Sequence, residues 1–288
     1  LKLYDVSEFG VKVFEKFVTE ALNIVDSIEK LRGSRVFILF IGGYRNIDQD
    51  LVEITYDLVD HIEGDLDIIL YSSGGLGDQA YVVGRYLQEN VEGKLTFMIP
   101  RWAKSAATIL SCSGDEIILT RIAELGPIDP VIYVEKVKRY VPALSIIELF
   151  KTLPHLGLPE NLLKDLLDKL PVMEIGDYQR LLEHNIELTA KLLTGRMYRE
   201  NPDKAFEIAR KLASYKHHGA PITLYDAYEI GLKAVKPEPQ LERYLVRLHS
   251  VWKETILWFE ETTLTGIETP VNIKIGDKGV FLTRFLEE

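Results

Sequence analysis

Between residues 11 and 31, apolar side chains recur at helical spacing (Val11, Phe14, Phe17, Val18, Ala21, Leu22, Val25, Ile28, Leu31) with lysine and glutamate between them. This predicts an amphipathic helix. The run that follows, residues 36–41, is uninterruptedly apolar, the pattern of a strand buried on both faces. Residues 66–70, 95–99 and 117–120 repeat it, and residues 50–62 and 78–90 lie between them with helical periodicity. Strand and helix in alternation predict an α/β fold built on a mainly parallel sheet. Beyond Pro130 the pattern becomes helical, over 145–152, 161–170, 177–193, 204–215 and 224–230. Pro237 and Pro239 then precede a helix expected over 241–261, striped by Leu241, Leu245, Leu248, Trp252 and Phe259. Alternating residues 271–275 and 280–285, across Gly276-Asp277-Lys278-Gly279, close the chain as a β-hairpin whose partner strand the pattern does not name. The expected organisation is an N-terminal helix (1–35), a central domain (36–236, with a helical segment at 143–200) and a C-terminal helix and hairpin (237–288).

Two of the predicted strands end in unusual turns. One delivers Ser72-Ser73-Gly74-Gly75; the next passes Pro100 and delivers Ser105 to the start of a helix. Successive βα units set such turns side by side at one edge of the sheet. A glycine pair leaves backbone N–H groups uncovered, and a helix start offers unpaired N–H groups at its positive end. Together they describe a nucleophile, Ser105, beside an oxyanion hole formed by the N–H groups of Gly75 and Ala106. Alone, the glycine pair would be an ordinary turn and the serine an ordinary N-cap; their order and spacing carry the reading.

Leu70-Tyr-Ser-Ser-Gly-Gly75, Ile99-Pro-Arg-Trp-Ala-Lys-Ser-Ala-Ala-Thr108, Leu125-Gly-Pro-Ile-Asp-Pro130 and His218-Gly-Ala-Pro-Ile-Thr223, in this order, resemble the Clp-protease/crotonase superfamily. Within it the match is to the serine dehydrogenase proteinase family of Clp-class peptidases, related to signal peptide peptidase A. Three residues depart from the family pattern: Ser73 stands for proline, Lys104 for methionine and Ala107 for glycine. The resemblance implies a ClpP/crotonase-like fold of ββα units with added helices. It also implies an endopeptidase that works through an acyl-enzyme on Ser105 without ATP. For the base, two arrangements stay open: His218 oriented by Asp129, or a serine–lysine dyad using Lys138 or Lys136. Two other functions are compatible with the fold, a catalytically silent scaffold or peptide-binding protein, and an acyl-CoA-handling crotonase. Members of the superfamily form closed rings or stacked trimers, so a homo-oligomer acting on a peptide or protein substrate is expected.

Composition narrows this further. A net charge of −10 argues against a nucleic-acid partner and against an anionic membrane surface. No apolar run approaches the ~20 residues of a membrane span, so membrane association is not evident and the expected location is cytoplasmic, although many relatives carry an anchor. The single cysteine, Cys112, excludes an intramolecular disulfide. His61, His155, His184 and His249 have no partners at metal-ligand spacing, so neither metal nor cofactor is expected.

Overall fold

The computed structural model describes residues 8–135, 138–167, 175–262 and 267–287. Its first helix, α1 (Glu8–Arg32), leads into β1 (Arg35–Ile41), and α2 (Gln49–Leu58), β2 (Leu66–Tyr71), α3 (Gly77–Asn90) and β3 (Leu95–Ile99) follow. Next come the short β4 (Trp102–Ala103), α4 (Ala106–Ser111), β5 (Glu116–Leu119) and β6 (Glu124–Leu125). A hairpin of β7 (Val131–Val134) and β8 (Arg139–Pro142) then precedes α5 (Ala143–Thr152), α6 (Glu160–Leu167), α7 (Ile175–Gly195), α8 (Pro202–Ala213) and α9 (Leu224–Ile230). The chain ends with β9 (Ala234–Val235), α10 (Pro239–Trp252), α11 (Trp258–Thr262), β10 (Ile267–Lys274) and β11 (Gly279–Glu287).

Seven strands form the central sheet in the order β10-β11-β1-β2-β3-β5-β9, every neighbouring pair parallel except the antiparallel β10 and β11. The mainly parallel α/β architecture expected from the pattern is present. Both faces of the sheet are covered, which is why its strands are apolar at consecutive positions. Phe37, Leu39 and Ile41 of β1 face a core shared with Leu51, Val83, Ile109 and Leu192. Val36, Ile38 and Phe40 face the opposite core, made with α1 and α10.

Two expectations change. The helix predicted over 50–62 stops at Leu58, because Ile62 leaves it to bridge Val91. The apolar stripes of α1 and α10 meet within the chain. Phe17 packs edge-on against Trp252 with ring centroids 5.1 Å apart, and Trp252 lies 5.2 Å from Phe40. The helix predicted over 241–261 is broken by a wide π turn, Lys253–Leu257, between α10 and α11. The terminal hairpin finds its partner in β1: Gly279 to Leu282 run parallel to Ile38 to Ile41.

Candidate active site

The two turns lie against each other. Ser72 accepts the N–H of Lys104 (3.0 Å) and donates its own N–H to Trp102 O (3.2 Å), a parallel bridge that carries β2 past its end and onto β4. The Ser72 hydroxyl then accepts the Gly74 N–H at 3.0 Å, a local side-chain turn that leaves Gly75 as the next free donor. Gly74 (φ +116°) is buried against the serine turn; a Cβ there would lie 2.9 Å from Ser105 Cβ and from Lys104 O, and 3.4 Å from Ala106 N. Only glycine permits this approach and this backbone angle.

Ser105 stands at the strand-to-helix corner with φ 50° and ψ −118°, a conformation that costs a non-glycine residue about 1–3 kcal/mol. Its hydroxyl caps no backbone group, although the residue occupies the N-cap position of α4. The reading that Ser105 would have on its own, an ordinary N-cap, finds no capping bond here. Among the described residues, the N–H groups of Gly75 and Ala106 have no hydrogen-bond acceptor. Downstream, Thr108 steadies the corner: its hydroxyl accepts the Gly126 N–H at 3.0 Å and lies 2.8 Å from both Ala103 O and Gly126 O.

His218 and Asp129, far apart in sequence, meet. His218 Nδ1 is 2.9 Å from Asp129 Oδ1, with Asp129 buried and His218 27% exposed. With Asp129 ionised, Nδ1 carries the hydrogen and Nε2 is the nitrogen left to accept a proton. Leu125 links this pair to the serine turn. It pairs with Ala103 on one side through β4 and β6, and with Ile222 on the other through reciprocal bonds of 2.9 and 3.0 Å. Asn185 donates to Ile128 O at 3.0 Å and braces the same segment from α7. No hydrogen bond joins Ser105 to His218 among the described residues.

The lysines stand differently. Lys138 is exposed on the turn between β7 and β8 at φ 48°, where an amine keeps its hydration. Lys136 lies outside the described residues. Lys104, the departure nearest the serine, is tied up by Glu124 (3.3 Å) and by Leu125 O (3.2 Å), and Arg101 reaches the same Glu124 at 3.1 Å. Ala107 buries its methyl in the core. Burial pushes the Cys112 thiol up to about 12, so it does not compete as a nucleophile. Among the described residues, no three His, Cys, Asp or Glu side chains converge as a metal site would require.

The family model for ClpP-like SDH-type serine proteinases matches residues 15–250. The chain belongs to that family. Among its relatives are two uncharacterised proteins of Methanocaldococcus jannaschii. MJ1495 is 26% identical over 245 residues, covering 81% of this chain and 77% of its own. MJ0137 is 26% identical over 185 residues, covering 64% and 58%. Solved structures with similarity include the 1510-N membrane-bound stomatin-specific protease (TM-score 0.44, 11% identity, 72% of this chain and 82% of that one). Another is the ClpP protease catalytic domain of Plasmodium falciparum (TM-score 0.40, 10% identity, 84% and 96%). Among the described residues of this SDH-type proteinase, no helix is long and apolar enough to cross a membrane.

Within this serine proteinase family member, the glycine pair and the helix start pointed to Ser105, Gly75 and Ala106, and the family resemblance pointed to Asp129 and His218. It passed over their supports. Ser72, Thr108 and Asn185 carry the bonds that hold them, and the signal for Ser72 and Thr108 was only their place beside the quoted turns. Ile47, which brackets Gly75, had none.

Proposed function

We propose that the chain is an ATP-independent serine endopeptidase, with Ser105 as nucleophile, His218 as general base, Asp129 as its orienting acid, and the N–H groups of Gly75 and Ala106 as the oxyanion hole. The observation that carries this is the conformation of Ser105: a non-glycine residue held at positive φ, uncapped, at the first turn of a helix and against Gly74. Strain of this kind persists where the surrounding structure fixes it, and a serine at a strand-to-helix corner presents its Oγ to a reacting carbonyl.

The step sequence uses only groups of the chain and water. The Ser105 hydroxyl passes its proton to His218 Nε2 as Oγ bonds to the peptide carbonyl carbon, whose oxygen takes the negative charge between the two N–H groups. Collapse breaks the C–N bond, the leaving amine takes the proton from His218, and an acyl-enzyme remains. Water, deprotonated by the same imidazole, releases the acid. Asp129 keeps the imidazole in the useful tautomer and stabilises its cation. The missing Ser105–His218 hydrogen bond is consistent with this scheme, since such contacts are often long before substrate binds.

The serine–lysine alternative requires a desolvated amine, and Lys138 is exposed. Hydrolysis of a peptide mixture, read by mass spectrometry, separates the two. His218→Ala and Ser105→Ala should each lower the rate by at least about a thousandfold, and Lys138→Ala should leave it within about threefold. Full activity in His218→Ala with loss in Lys138→Ala would reverse the assignment of the base.

A further inference from the structure

The direction of the Gly75 N–H is set from outside the catalytic turns. A peptide unit is planar and trans, so the Gly75 N–H points opposite to the Gly74 carbonyl. That carbonyl accepts the Ile47 N–H at 2.8 Å, and Ile47 O accepts the Leu76 N–H at 2.8 Å. Both peptide planes flanking Gly75 are therefore fastened to one residue, and the Gly75 N–H is turned away from it. The fit leaves no slack: a Cβ on Gly75 would fall 2.4 Å from Ile47 N and from Ile47 O.

Ile47 belongs to the loop between β1 and α2, and two buried charged side chains fasten that loop to the end of the chain. Arg45, 6% exposed, donates through Nη1 to Asn272 Oδ1 (2.9 Å), Thr283 O (3.2 Å) and Val271 O (3.3 Å), all on β10 and β11. Its Nη2 donates to Asp50 Oδ2 at 3.0 Å, at the start of α2. Glu260 of α11, 2% exposed, accepts the Gly43 N–H (3.2 Å) and the Thr283 hydroxyl (2.7 Å). Gly42 donates to Leu282 O at 2.8 Å and lies so close beneath the Glu260 carboxyl that a Cβ would overlap it. Buried ionic groups are costly to keep, and simple adhesion of a hairpin to a sheet edge does not require them.

We infer that Arg45 and Glu260 are positioning residues: through the loop around Ile47 they make the C-terminal β10–β11 ribbon set the aim of the Gly75 oxyanion donor. This rests on the Ser105–Gly75 reading above. The ribbon is then part of the catalytic apparatus, acting through the Ile47 loop.

The test compares Arg45→Met, Glu260→Gln and a control, Ile28→Val, in the α1 core on the opposite face of the sheet. Each folded variant is assayed for peptide hydrolysis, for inhibition by a peptide boronate, which forms a tetrahedral adduct with the serine, and for affinity of an unreactive peptide of the same sequence. Misdirecting an oxyanion donor lowers kcat and boronate affinity by about tenfold or more while KM and peptide affinity stay within about twofold. Arg45→Met should behave so, Glu260→Gln should do so more mildly, and Ile28→Val should not. Amide exchange adds a readout independent of turnover: the Ile47 N–H should exchange faster in Arg45→Met while the Thr108 N–H stays protected. Wild-type kcat and boronate affinity in folded Arg45→Met, or in Glu260→Gln if Arg45→Met does not fold, overturns the inference. A wild-type chain whose hydrolysis and boronate binding survive Ser105→Ala overturns the underlying reading instead.

Discussion

At the scale of single residues, the site depends on one contact of glycine with serine. Gly74 holds φ +116° and touches the Ser105 turn, so Gly74→Ala adds a methyl that meets Ser105 Cβ and Lys104 O at 2.9 Å while forcing a side chain into an unfavourable backbone region. The expected result is a loss of about 1–3 kcal/mol in denaturant melts together with loss of hydrolysis. Gly64, where an added Cβ meets nothing within 4 Å, is the comparison: Gly64→Ala should keep activity. The residues of this corner were legible because their chemistry is local; a glycine pair and a serine at a helix start say what they offer. Asp129 and His218 were legible only through the family resemblance, since nothing local tells a Pro-Ile-Asp-Pro segment that its carboxylate will meet a histidine 89 residues away. Arg45 and Ile47 were not legible at all, because their role is fixed by backbone geometry across loops that carry no periodic signal.

At the scale of elements, the α10 helix carries an ion pair near its start, at Glu242, and a half-buried histidine, His249, in its last turn, and both record pH. Arg121 donates three hydrogen bonds to the Glu242 carboxylate and holds it down at about 2. His249, under Tyr71 and close to Arg101 and Lys253, is lowered to about 4, chiefly by burial. In both cases the folded value lies below the unfolded one. Between the two values the unfolded chain binds more protons, and stability falls as pH falls. His249 should act from about 6.5 down to about 4, and Glu242 from about 4.5 down to about 2. Urea melts across this range should show two successive losses, the upper one reduced in His249→Phe and the lower one in Arg121→Ala. Unchanged slopes in both variants would contradict these assignments. The elements themselves followed the hydrophobic pattern wherever they are long and buried. They escaped it where they are short, as in the two-residue β4 and β6, or where charged residues interrupt the alternation, as in the β7–β8 hairpin.

At the scale of the molecule, the chain is organised on one seven-stranded sheet with helices on each face, and its last strand, β11, lies beside β1 and is separated from β2 by it. The alternation of residues 271–285 defined two strands and their faces; a parallel partner chosen from the far end of the chain is a property of topology, which alternation does not encode. The apolar stripes of α1 and α10 are satisfied within the chain, so a homo-oligomer is argued from the family resemblance and from the exposed Tyr133 and Tyr140, whose rings meet 5.2 Å apart on the β7–β8 hairpin. We propose that this hairpin contacts a second copy. Light scattering at micromolar concentration should give a multiple of the single-chain mass, lowered by Tyr133→Ser with Tyr140→Ser; a monomer at all concentrations would contradict it.

The central claim is that Ser105 is an activated nucleophile, and covalent capture tests it most directly. A fluorophosphonate should phosphonylate the folded chain at a single residue, mapped to Ser105 by peptide mass spectrometry. Labelling should vanish in Ser105→Ala and slow strongly in His218→Ala, with both variants folded. A chain that takes no label, or takes it equally well in Ser105→Ala, would contradict the account.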